Sequence, residues 1–155
     1  MIDMESILLP KCVRTKVHAH SRKRVLEISS DLLAKHRGVS ARSLFDALME
    51  RERLGSTGLG DGIAIPHCRL DCTQMMAALI ILETPVDYEA IDSQPVDILF
   101  ALVVPREEVN MHLEVLACLA AVFGDETERQ RLRDAHTASE LSQRFREAVD
   151  RHAAE

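Results

Sequence analysis

The chain has 155 residues, 46% of them hydrophobic, and a mean hydropathy of −0.05, the profile of one soluble globular domain with room for a substantial core. Its net charge of −6 argues against a general nucleic-acid binder, and its longest apolar runs, residues 75–82 and 98–104, are too short to span a bilayer. No signal-peptide pattern is visible, and Cys12, Cys68, Cys72 and Cys118 are too scattered for a disulfide framework, so a cytoplasmic protein is expected.

In chain order, residues 15–20 alternate weakly and predict a short strand with His18 and His20 on one face. Ser21 is placed to cap a helix through about Arg37, with Val25, Ile28, Leu32 and Leu33 inward and Gly38 as its stop. Ser40 caps a second helix through about Arg53, with Leu44, Phe45 and Leu48 inward. Four glycines, Gly55, Gly58, Gly60 and Gly62, then fall within eight residues and lead into a brief strand over residues 63–65, closed by Pro66 and followed by His67. Residues 75–82 and 98–104 are continuous apolar runs bounded by prolines, as in strands buried on both faces. Residues 109–123 predict a helix with His112, Val115, Leu116, Leu119 and Phe123 at helical spacing, ended by Gly124. Two shorter helices follow, over about 126–134 and 139–151. The order β-α-α-β-β-β-α-α-α predicts an α/β single domain, a mixed β-sheet sandwiched between helices.

The glycine cluster is the chemical signal. It lacks the Lys-Ser/Thr of a P-loop and the spacing of a dinucleotide fingerprint, so it is not a nucleotide cradle. Its backbone N–H groups, with the Ser56 and Thr57 hydroxyls, are candidates for an anion site, and His67 beyond it is set to be half-exposed in one orientation. Arg51 and Arg53 close the preceding helix, either balancing its dipole or meeting phosphoryl oxygens. His112 opens a helix just past a strand's carboxyl end, where α/β sheets build sites, although its spacing also suits an inner-face histidine. Together these residues point to phosphoryl chemistry on an imidazole. Cys68-x3-Cys72 beside His67 and His18-x-His20 lack the second ligand pair of a zinc knuckle, so ordinary thiols, no metal and no cofactor are expected. Residues 1–60 carry eleven Lys/Arg against seven Asp/Glu and residues 61–155 eight against eighteen, a polarity suited to docking a charged partner.

The segment RERLGSTGLGDGIAIPH from Arg51 to His67 resembles the active-site signature of the fructose/mannitol-type IIA proteins of the bacterial phosphotransferase system. LETPVDYEAIDSQPVDILFALVVP from Leu82 to Pro105 and MHL from Met111 to Leu113 extend the resemblance, which covers residues 5–150 as one EIIA type-2 domain and is strongest to stand-alone nitrogen-regulatory members. The resemblance implies that His67 accepts a phosphoryl group at Nε2 from an HPr-like carrier (NPr). It implies that His112 hydrogen-bonds near that group, that Arg51 neutralises it, and that Ser56, Thr57 and Gly58 lie beside it. It further implies regulation of targets such as potassium transporters or sensor kinases. The alternatives are a sugar-specific IIA that passes phosphate to a IIB component, and a binding module that is never phosphorylated. Where such proteins commonly carry glycine or alanine after the acceptor, this chain has Cys68, which is expected to place an oxidisable thiol beside the site.

Overall fold

Two nearly pure aliphatic runs form the centre of the molecule, for which a computed structural model describes residues 3–153. They are strands β5 (Met76–Val86) and β6 (Val96–Pro105), paired antiparallel from Met76↔Val103 to Ile81↔Ile98. Before them come α1 (Met4–Ile7), a 3-10 turn (Pro10–Cys12), β1 (Val13–Val17), α2 (Arg22–Arg37), α3 (Ala41–Arg53), β2 (Gly58–Gly60), β3 (Ile63–Ala64) and β4 (His67–Leu70). After them come α4 (Met111–Phe123), α5 (Glu126–Arg133) and α6 (Ala138–Ala153). The six strands form one mixed sheet. Its order is β1-β5-β6-β3-β2, with β4 also on β6; β1 runs parallel to β5, β3 and β4 run parallel to β6, and β2 is antiparallel to β3.

Strand alternation divides the core into two layers. Leu79, Ile81, Phe100, Leu102 and Val104 face α4–α6 and pack with Val115, Leu119 and Phe145. Met76, Ala78, Ala101 and Val103 face the other way, onto Leu26, Leu33, Leu44 and Leu48 of α2 and α3. This is the expected sheet between helices. Both predicted caps are present: the Ser21 hydroxyl accepts from Arg24 N and the Ser40 hydroxyl from Ser43 N, each at 3.1 Å, while Gly38 closes α2 at φ +76°.

Several boundaries move. The first strand is Val13–Val17, earlier than residues 15–20, because Val13 is fully buried against β5 and Lys16 turns the chain at φ +55°. His18 and His20 therefore lie past its end, exposed, and are not one face of a strand. The strand begun at residue 76 continues through Pro85 to Val86, where a register irregularity lets proline sit without breaking the ladder. The helix expected from residue 109 starts at Met111, because the chain turns first with Glu108 N donating to Pro105 O at 3.1 Å. The last helix has 16 residues, as many as α2, and is not short.

Strands β2 and β4 were not expected. On β4, Cys68 pairs with Val103 and faces the α2–α3 layer, so its thiol points away from the face that carries His67. Burial, the largest influence, pushes that thiol's pKa up to about 12. The expectation of an oxidisable thiol beside the histidine is thereby corrected: a protonated, buried sulfur is a poor nucleophile.

Two outcomes follow from this packing. Phe145 is buried and stacks on Phe100 with ring centroids 5.5 Å apart. Phe145→Ala should cost about 3–5 kcal/mol in urea unfolding, and a loss below about 1 kcal/mol would contradict the core assignment. Iodoacetamide at pH 8 should leave Cys68 unmodified in the folded protein and alkylate it in urea, as read by peptide mass spectrometry.

Candidate functional site

Strands β3 and β4 are two halves of one strand laid along β6. Ile63 pairs with Ile98 and His67 with Leu102, so the register is unchanged across Ile65–Pro66 although the ladder is interrupted there. Pro66 has no N–H to give, and Ile65 turns its own N–H to Thr57 O at 3.1 Å. The free Ile65 carbonyl accepts from His67 Nδ1 at 2.7 Å. A carbonyl only accepts, so Nδ1 carries a proton, and in the neutral ring the lone pair is on Nε2. His67 is half-buried, and pairing with Leu102 puts it on the α4–α6 face of the sheet.

The glycine cluster is a hairpin and a turn. Asp61 and Gly62, both at positive φ (57° and 82°), connect β2 to β3, as primed hairpin turns require. The Asp-Gly pair was the sequence signal for that hairpin. Gly58 is needed for close approach: a Cβ there would lie 2.7 Å from Ala90 Cβ. Ile91 N donates to Gly58 O at 3.3 Å and Asp61 N to Asp92 Oδ2 at 3.0 Å, tying the β5–β6 loop to the hairpin. Hydrogen bonds from Gln94 and Asp61 backbone N–H groups hold the Asp92 carboxyl below its ordinary range.

Beneath the turn lies a buried polar network. Glu52, 4% exposed, accepts from Thr57 N at 3.2 Å and from the Thr57 hydroxyl in a short contact, and faces Arg22 Nη1 at 3.6 Å. Tyr88 is fully buried with its hydroxyl 3.3 Å from Thr57 Oγ1, and Arg22 lies over its ring. Burial, reinforced by the Glu52 charge, raises the Tyr88 pKa. The Ser56 hydroxyl donates to Tyr88 O at 2.8 Å and accepts from Gly58 N at 3.1 Å. Without a ligand, the Ser56 and Thr57 hydroxyls and the Thr57 and Gly58 N–H groups are engaged by Glu52, Tyr88 and each other. Glu52, Tyr88 and Arg22 are the residues sequence reasoning missed, and no local pattern announces a contact between a helix's first residue and another's last turn.

Arg51 stands at the end of α3, which packs against β4, and its Nη1 donates to Gly55 O at 2.8 Å. Arg53 is instead exposed and paired with Glu50 at 2.7 Å. His112 lies in the first turn of α4, whose Val115 and Leu119 pack on the sheet face shared with His67. Its Nδ1 is buried with no hydrogen-bond partner, one of two such side-chain atoms among the described residues. A buried polar atom left unpaired costs about 1–3 kcal/mol, so a ligand, water or partner group that meets His112 Nδ1 would be favoured.

His67, Cys68 and Cys72 do not converge as a metal site. Among the described residues, one group has metal-ligand geometry, Asp125, Glu128 and His152 on α5 and α6 and the turn before them. There Glu128 is already bound bidentately by Arg151 at 2.7 and 3.0 Å.

Residues 6–148 match the family model of the phosphoenolpyruvate-dependent sugar phosphotransferase system, EIIA 2. The chain is 46% identical over 145 residues to the nitrogen regulatory protein of Pseudomonas aeruginosa, covering 92% of this chain and 94% of that one. It is 44% identical over 149 residues to the nitrogen regulatory protein of Klebsiella oxytoca, covering 95% and 92%. Its fold superposes on the crystal structure of nitrogen regulatory protein IIA-Ntr from Neisseria meningitidis with a TM-score of 0.86 at 36% identity, covering 91% of this chain and 97% of that one. With this match over nearly its whole length, the chain belongs to the EIIA type-2 family of the phosphotransferase system, alongside its nitrogen-regulatory members.

Proposed function

We propose that the protein is a phosphohistidine carrier of the nitrogen-related phosphotransferase system, charged on His67 Nε2 by an HPr-like carrier (NPr), and that its phosphorylation state selects the target proteins it binds. The observation that carries this reading is the 2.7 Å hydrogen bond between His67 Nδ1 and Ile65 O. It fixes the tautomer of the neutral ring and leaves the lone pair on Nε2. That nitrogen's lone pair attacks the phosphorus on the carrier's imidazole, the new N–P bond forms as the old one breaks, and the departing imidazole recovers its electron pair.

The charge on the transferring group needs donors already in place. With the Ser56–Gly58 donors engaged by Glu52, Tyr88 and each other, Arg51 and His112 take that role: Arg51 through the N–H groups not held by Gly55 O, His112 through its ring. Large apolar side chains left exposed also lie where a partner would dock. They are Leu54 and Leu59 on the glycine segment, Ile91 on the loop tied to it, and Val109 and Leu113 flanking His112. Exposed large apolar side chains are candidates for interaction sites where they form one patch. A phosphoryl group there adds a charge of about −1.5 to −2, as for phosphorylated hydroxyls, and changes which partners fit. The targets, potassium transporters or sensor kinases, would be proteins that distinguish these two states. No helix among the described residues is long and apolar enough to cross a membrane, consistent with a carrier that moves between partners.

Incubation with phosphoenolpyruvate, enzyme I and the small carrier should give one acid-labile, alkali-stable adduct. It should be absent in His67→Ala, and labelling of that variant would refute the assignment. His112→Ala should slow transfer while leaving His67 modifiable. Arg51→Ala should lower the transfer rate by the equivalent of about 2–4 kcal/mol, the cost of removing a single oxyanion donor elsewhere. A wild-type rate in either variant would remove that residue from the site.

A further inference from the structure

Arg69 lies two residues beyond His67 on β4, so the two side chains leave the same face of the strand, about 7 Å apart along it. Its Nη1 faces three backbone carbonyls in a row: Pro105 and Arg106 at 3.1 Å each and Glu108 at 2.6 Å. Pro105 ends β6, and residues 106–110 are the link that carries the chain into α4 and His112. The first part of this link is also held by the sheet, with Arg106 N donating to Leu70 O at 3.2 Å and Arg106 paired with Asp71 at 2.9 Å. Glu108 lies past those anchors. There the guanidinium makes its shortest contact.

The start of α4 is held locally by Asn110 N donating to the Glu108 carboxylate at 3.0 Å and Leu113 N to Asn110 O at 3.1 Å, while the Asn110 side chain makes no cap and His112 Nδ1 makes no hydrogen bond to orient the ring. Its position is set by where the backbone of the link is held. Arg69 is exposed, so a role in core packing does not explain it, and the two N–H groups of its Nη1 are shared among the three carbonyls.

We infer that Arg69 is a positioning residue: it latches the β6–α4 link to β4 and thereby holds His112 against the His67 site. This rests on the phosphohistidine reading for its consequence, though not for the latch itself.

Two measurements test it. Amide hydrogen exchange of the folded, unphosphorylated protein should speed up in residues 106–113 in Arg69→Ala and stay nearer wild type in Arg69→Lys, with the exchange of β5 and β6 unchanged. Unchanged exchange in the link would overturn the latch, whether or not the protein accepts phosphate. In transfer from the phosphorylated small carrier, Arg69→Ala should lower kcat by roughly tenfold with KM unchanged, since small misplacements of a catalytic group are felt strongly. Arg69→Lys should recover part of that loss. In a His112→Ala background, Arg69→Ala should cause no further loss, because both changes remove the same contribution. A raised KM with strong salt dependence would assign Arg69 to steering the partner, and additive losses in the double variant would show that it acts independently of His112. Either result overturns the proposal. Absence of any wild-type phosphorylation would sink the phosphocarrier reading, and hydrogen exchange alone would then decide the latch.

Discussion

The site depends on an interruption in a strand. Along β6 the second strand keeps its register from Ile63 to Leu70, yet at Ile65–Pro66 the ladder opens. The proline removes the one N–H that would have faced β6, while Ile65, whose backbone groups face away from β6, gives its N–H to Thr57 O and its C=O to the His67 ring, so this segment both anchors the loop and sets the tautomer of the imidazole. Leu102 N still donates to Pro66 O at 2.8 Å, so the break stays confined between two paired halves. A nucleophile presented this way sits at the edge of a rigid sheet, where the entropy of orienting it is met by folding.

The buried Glu52 carboxylate is the second constraint. A lone charge in such a place would be costly, and this one is surrounded by the Thr57 N–H and hydroxyl, Arg22 and the Tyr88 phenol. An apolar cluster of the same size would avoid the desolvation. It could not fix the relative positions of the start of α2, the last turn of α3 and the 55–58 turn. Those three meet at Glu52, and the turn in turn holds Arg51 through Gly55 O. The hydroxyls of Ser56 and Thr57 tie this turn to Tyr88 and Glu52.

Periodicity and capping chemistry made the helices legible: Ser21, Ser40 and Gly38 are local signals acting on local backbone, and all three do what their chemistry suggests. The aliphatic runs made the two central strands legible for the same reason. What was hidden was non-local. Gly58-Leu59-Gly60 carries no strand propensity and becomes β2 only because Asp61-Gly62 folds it back on β3. Residues 67–70 look like a loop after proline until β6 is there to pair with them. The motif named His67, Arg51 and His112 as the candidate site residues. It could not say which hydroxyls face an incoming anion and which face a buried carboxylate, because that depends on Glu52 and Tyr88 meeting in space. The orientation of Cys68 was available from strand alternation alone, once residues 67–70 were known to be a strand.

The apolar rim gives the proposed carrier a way to answer two kinds of partner with one surface. Leu54, Leu59, Ile91, Val109 and Leu113 would bury against a docked protein in either state, and that contribution does not depend on phosphorylation. A phosphoryl group at His67 changes only the middle of such an interface. There a partner without donors would leave about two negative charges desolvated, while one that offers an arginine or a helix N-terminus would gain charge-assisted hydrogen bonds. The discrimination is then carried by the mismatch penalty more than by the apolar contact, as expected where specificity is a difference between two affinities. Such a mechanism requires that the charge always appear at the same point within the rim. The strand break that holds His67, the Glu52 network under the turn and the anchoring of the β6–α4 link would each serve that requirement by fixing the backbone next to a candidate site residue.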